Sequence, residues 1–117
     1  MAKTGSKVVI KIDIENLDEK RSIEDIRLLF SNKKFIEDGL IVVNVMSGGQ
    51  QDGNGFNWIN EGMKIPPKQK RSFQIVCQAN KPGNYQSIIQ IKPVDGALPY
   101  SDLEGNDELN AKLTVIN

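Results

Sequence analysis

Apolar and polar residues alternate along most of this chain. Over residues 7–14, Val8, Ile10, Ile12 and Ile14 fall on one side and Lys11 and Asp13 on the other. Over 71–79, Phe73, Ile75, Cys77 and Ala79 share a side, and Ala111, Leu113 and Val115 repeat the pattern further on. A period of two sends successive side chains to opposite faces of an extended strand, so each segment predicts one buried and one solvated face. Half-wet strands of this kind belong to antiparallel sheets packed on a common core. The pattern predicts an all-β fold, an antiparallel β-sandwich of about seven strands.

Other strands are read from apolar runs between turn signals. Residues 23–30 put Ile26, Leu28 and Phe30 on one face, and 40–45 form a continuous apolar run expected at the centre of a sheet. Phe56 and Trp58 share a face in a short strand, and 85–92 follow the turn at 81–84. Asp52-Gly53 and Asn54-Gly55 are hairpin-turn dipeptides, because both pairs tolerate the left-handed backbone such turns demand. Residues 66–71 read as a rigid proline bend, and 95–108 as a long acidic loop before the last strand. Segment 22–37 fits two templates. Ser22 to Asp25 could cap a helix with Ile23, Ile26 and Phe30 on one side and Phe35 and Ile36 extending it. A strand is the favoured expectation, because a sandwich needs a second strand to accompany the first. The organisation expected is a flexible polar lead-in over 1–6 and a single domain over 7–117.

Composition narrows the chemistry. The chain has 117 residues, of which 38% are hydrophobic, enough for one thin two-layer core. Fifteen basic residues balance fifteen acidic ones, which argues against nucleic acid as a partner, since phosphate binding needs a basic stripe. Histidine is absent, which removes Ser-His-Asp and Cys-His catalysis and the commonest transition-metal ligand. Cys77 is the one cysteine, so no internal disulfide forms, and its place in an alternating strand marks it as a core residue. No apolar run approaches the roughly 20 residues of a membrane span. Neither a catalytic residue nor a cofactor-binding residue is expected.

Several positions are candidates for recognition. Trp58 is the one tryptophan, a residue type enriched at binding hot spots, although its alternation with Phe56 favours a core position. Gln50 and Asn54 in the glycine-rich stretch 47–55, and Tyr100 in the acidic loop, are the other partner-binding candidates. The acidic loop carries Asp95, Asp102, Glu104, Asp107 and Glu108. Calcium takes several oxygen ligands, so Asp95, Asp102, Glu104 and Asp107 are weak candidates for a Ca²⁺ site. Their spacing does not follow the EF-hand pattern, and a solvated acidic loop is the favoured expectation. Lys64 and the basic residues of 66–71 read as charges that keep an edge bend soluble.

In order, the chain presents Ile10-Lys-Ile-Asp-Ile-Glu-Asn16, a glycine-rich link, Phe56-Asn-Trp58, Ile65-Pro-Pro67, Pro82-Gly-Asn-Tyr85 and, at the Asn/Asp-rich loop and the strand after it, Asn106-Asp-Glu-Leu-Asn-Ala-Lys-Leu-Thr-Val-Ile116. This order resembles the Ig-like repeat domains of bacterial and archaeal surface proteins, the conserved-repeat and cell-adhesion-related (CARDB-like) modules. The chain departs from their pattern around residues 30–40 and at Gln86-Ser-Ile-Ile89. The resemblance implies a non-catalytic binding or spacer module of a larger surface-associated or assembled protein, with a protein or carbohydrate partner. It favours a cell-surface or secreted setting over a cytoplasmic one. The alternative is an intracellular adaptor that captures a peptide along a sheet edge, and such an edge could also pair two copies.

Overall fold

The computed structural model describes residues 1–96, 98–101 and 105–117. Among these residues the fold is all-β, with nine strands in two facing sheets. The strands are β1 (Ala2–Lys3), β2 (Lys7–Glu15), β3 (Ile26–Phe30), β4 (Leu40–Val45), β5 (Gln50–Asp52), β6 (Gly55–Trp58), β7 (Lys70–Ala79), β8 (Gly83–Lys92) and β9 (Glu108–Ile116). A short helix α1 (Lys33–Glu37) and a 3₁₀ turn (Glu61–Met63) complete the regular structure. One sheet runs β1-β9-β8-β3-β6-β5, and the other runs β2-β7-β4. All pairings are antiparallel except β1 on β9.

The alternating faces meet as the period requires. Ile12 and Ile14 of β2 and Phe73, Ile75, Cys77 and Ala79 of β7 are buried on the inner side of the smaller sheet. Ile26, Leu28 and Phe30 of β3, Phe56 and Trp58 of β6, and Ile89 of β8 are buried opposite them. Phe30 meets Phe56 edge-on with ring centroids 5.6 Å apart, and Trp58 meets Phe73 likewise at 5.0 Å. Edge-on packing sets the positive ring edge against the negative ring face.

Three expectations need correction. The run 40–45 is not central, because β4 is the outer strand of the smaller sheet and, among the described residues, pairs only with β7. Its register shifts between Val42 and Asn44, and Ile41 and Val43 stand 47% and 62% exposed. Apolar character there does not report burial, since only one face of an edge strand meets the core. Segment 22–37 is divided between the two templates. Residues 26–30 form β3, and the helix starts only after Asn32, whose side chain accepts from the Lys34 N–H at 3.1 Å. Ser22 caps nothing in that helix, and Asp25 instead accepts from the Val94 N–H at 2.7 Å. The lead-in 1–6 is tied down, since Ala2 and Lys3 pair with Val115 and Ile116, and Thr4 and Gly5 donate to Ile116 and Ala79 at 2.8 Å. The stretch 47–55 contains the β5–β6 hairpin, turned at Gly53 (φ +60°), as the turn dipeptides predict.

The register fixes two poles. Gly83 of β8 lies beside Val115 at the pole where β1 pairs with β9, so both ends of the chain are at that pole. β2 starts there, with Lys7 beside Gln78, and ends with Glu15 beside Lys70 at the opposite pole. That far pole also receives the end of β8 and the start of β9, with Gln90 beside Glu108.

Candidate functional site

A cleft of about 750 Å³ opens at the far pole, within the usual range of about 300–1,000 Å³ for ligand pockets. It is built from the end of β2, the following turn, the end of β8, the start of β9, and Pro99, Tyr100 and Ser101. Its apolar lining comes from Ile14, Leu17, Ile23, Ile91, Tyr100 and Leu109. Leu109 belongs to the inward row of Ala111, Leu113 and Val115, yet stays 42% exposed because the opposite sheet does not close over it. Around this lining stand Asp13, Glu15, Asp18, Asp107 and Glu108, with Arg21 as the one cation among the lining residues.

Asn16 holds the wall together. Its side chain is 3% exposed and donates to the Arg21 carbonyl at 2.7 Å and the Ile65 carbonyl at 2.9 Å, while accepting from the Asp18 N–H at 3.0 Å. Its own N–H donates to Gln69 at 2.8 Å. One buried amide thus ties the β2 turn to the segment that precedes β7. Asp18 extends the turn by accepting from the Lys20 N–H at 2.7 Å and the Arg21 N–H at 2.9 Å. Those backbone donors hold its carboxyl below the ordinary value of 3.8. Tyr100 is fixed by its N–H to the Ile91 carbonyl at 2.7 Å and its hydroxyl to the Asp25 carbonyl at 3.3 Å. Burial, and then the charges of Asp25 and Glu24, push its phenol above the ordinary value.

Of the four partner-binding candidates, Tyr100 alone lines the cleft. Trp58 offers no platform, since it is 1% exposed and its indole N–H is spent on the Met46 carbonyl at 2.7 Å. Asn54 is committed to the fold, because its amide donates to the Phe30 carbonyl and its own carbonyl accepts from the Phe30 N–H at 2.9 Å. Gln50 is exposed on β5, away from the cleft.

Of the calcium candidates, Asp95 is exposed outside the cleft lining and Asp107 lies within it, while Asp102 and Glu104 fall outside the described residues. Among the described residues no three Asp, Glu or Cys side chains converge to hold a metal ion. The basic cluster is dispersed. Lys64 pairs with Glu24 at 2.7 Å and Glu61 at 2.9 Å, which hold its ammonium charged well above the ordinary range. Arg71 shares the inward row of Phe73 and is half-buried, with a buried Nε that finds no partner.

The cleft residues other than Tyr100 and Asp107 were not among the candidates drawn from the sequence. Glu15 and Glu108 are 93 positions apart, and only strand pairing brings them to one pole. The one local signal was the polar turn directly after the β2 alternation.

Fold and site together define a class: a small all-β sandwich with an open, acid-rimmed cleft at the pole remote from its chain ends. In comparison with known proteins, no family model matches the chain and no curated protein matches it.

Proposed function

We propose that this chain is a non-catalytic, Ig-like binding module of a larger surface-associated or assembled protein, and that it recognises its partner at the far-pole cleft. The observation that carries this reading is polarity. Both chain ends leave from one pole, where β1 pairs with β9, and the cleft opens at the other. A domain attached this way presents its cleft outward. It does not hold its two ends apart, so the spacer role gives way to the binding role. Two facing sheets that are antiparallel in all pairings but β1 on β9 support the Ig-like assignment. The succession of short motifs shared with the repeat domains points the same way, towards a protein or carbohydrate partner.

A melting screen against peptides and glycans tests the reading. A ligand at ~100 times its dissociation constant adds ~2.7 kcal/mol of stability. The expected result is a shift that survives Val43→Lys and disappears in Leu109→Arg. A shift lost in Val43→Lys and kept in Leu109→Arg sinks the cleft reading and supports the second one.

That second reading, capture of an extended peptide along a sheet edge, is favoured by β4. This strand carries no charge, has one edge unpaired among the described residues, and leaves Ile41 and Val43 exposed. Exposed, uncharged edges are the usual templates for strand addition.

A further inference from the structure

We infer that the cleft takes a cationic, partly apolar peptide segment, one in which lysine or arginine alternates with aliphatic residues. This rests on the reading of the cleft as the recognising surface and adds the chemistry of its ligand. The apolar lining comes first in the argument. Ile14, Ile91, Leu109 and Tyr100 face an opening of about 750 Å³, and Leu109 at 42% exposed gains most from being covered. An apolar partner surface answers that lining, and a bare inorganic cation does not.

The rim sets the charge of the partner. Asp13, Glu15, Asp18, Asp107 and Glu108 stand at the opening with Arg21 as the one cation of the lining, and Lys70 beside Glu15 and Lys68 near Asp18 offset part of that charge from outside it. The ion pairs among the described residues are Arg27–Asp52, Lys64–Glu24, Lys64–Glu61 and Lys81–Asp38, and none of them uses a rim carboxylate. One oxygen of Asp18 accepts from the Lys20 and Arg21 N–H groups and Asp13 accepts from the Ser72 hydroxyl, while the charges of Arg21 and Lys68 act on Asp18 without a direct ion pair. The rim is therefore a concentrated negative field at the mouth of an apolar recess, which selects and steers cations. A lysine or arginine satisfies both parts, since its aliphatic stem lies on apolar surface while its head stays at the carboxylates. Acidic peptides are repelled, and a neutral apolar peptide leaves the rim unanswered.

The test is an NMR titration of the isotope-labelled chain with three short peptides. They share their valine positions and carry lysine, glutamine or glutamate at the alternate positions. The lysine peptide is expected to shift the amides of Ile23, Tyr100 and Leu109 and to weaken as salt rises. The glutamine peptide is expected to bind about tenfold more weakly, and the glutamate peptide weaker still. A Glu15→Gln/Glu108→Gln double variant, altered only at exposed positions, should lose about tenfold in affinity for the lysine peptide while melting as the parent does. Equal binding of the lysine and glutamine peptides at the cleft amides overturns the charge assignment and leaves the cleft standing as the site. Shifts confined to β4 overturn the cleft reading itself. No shift with any peptide overturns the inference about ligand chemistry.

Discussion

At the scale of single residues, the amide of Asn16 is the group on which the site most depends. It closes the β2 alternation and satisfies two carbonyls and one N–H from two segments, the turn after β2 and the stretch before β7. An Asn16→Asp substitution keeps the shape and replaces the donor with a carboxylate facing two carbonyl oxygens. Burying that charge against acceptors should cost about 3 kcal/mol at neutral pH, measured by urea unfolding. Repulsion from the carbonyls raises the folded-state pKa of the new carboxyl. Part of the loss should therefore return as pH falls towards 4 and the group protonates. A variant as stable as the parent would show that the Asn16 amide does not carry the turn. Trp58 shows the other use of a polar handle, since its indole N–H reaches Met46 while the ring fills the core. Gly49 is matched to it, because a Cβ there would lie 2.5 Å from the indole nitrogen.

At the scale of elements, β1 carries the clearest consequence. Two residues of parallel pairing, the Thr4 N–H and hydroxyl on the Ile116 carbonyl, and the Gly5 N–H on Ala79 join the two sheets at the chain-end pole. Removing residues 1–5 should lower the melting temperature by about 5 °C, from the loss of a few net hydrogen bonds. Amide exchange at Val115 and Ile116 should rise at the same time. An unchanged melt would mean that this pairing has no thermodynamic weight. The alternation of β2, β7 and β9 was legible in the sequence because period two is a local property. The position of β4 was not, because edge and centre are set by which strands pair beside it. Where β3 ends and α1 begins was decided by Asn32, whose side chain accepts from the Lys34 N–H at the start of the helix.

At the scale of the whole molecule, the buried thiol links folding to pH. Burial alone pushes the Cys77 thiol from 9.0 up to about 11. The unfolded chain releases this proton at lower pH than the folded chain, so from pH 9 to about 11 the folded state binds more protons. Stability therefore falls with rising pH over that window, by up to about 1.4 kcal/mol per pH unit. Tyr100 and Lys64 add slopes of the same sign at higher pH, since both are raised in the folded state. Melting curves from pH 8 to 11 should show a steeper decline for the parent than for Cys77→Ala. Parallel declines would remove Cys77 as a source of the alkaline loss.

The sequence by itself determined the all-β class, the inward rows and the main turns. Those follow from side-chain periodicity and from backbone preferences at glycine, proline and asparagine, which act over a few residues. Only the tertiary structure decided that β4 is an edge strand, that the chain ends share a pole, and that Glu15, Tyr100 and Glu108 line one cleft. Those facts depend on strand order and register, and hydrogen bonding between distant strands fixes both without any local signature in the chain.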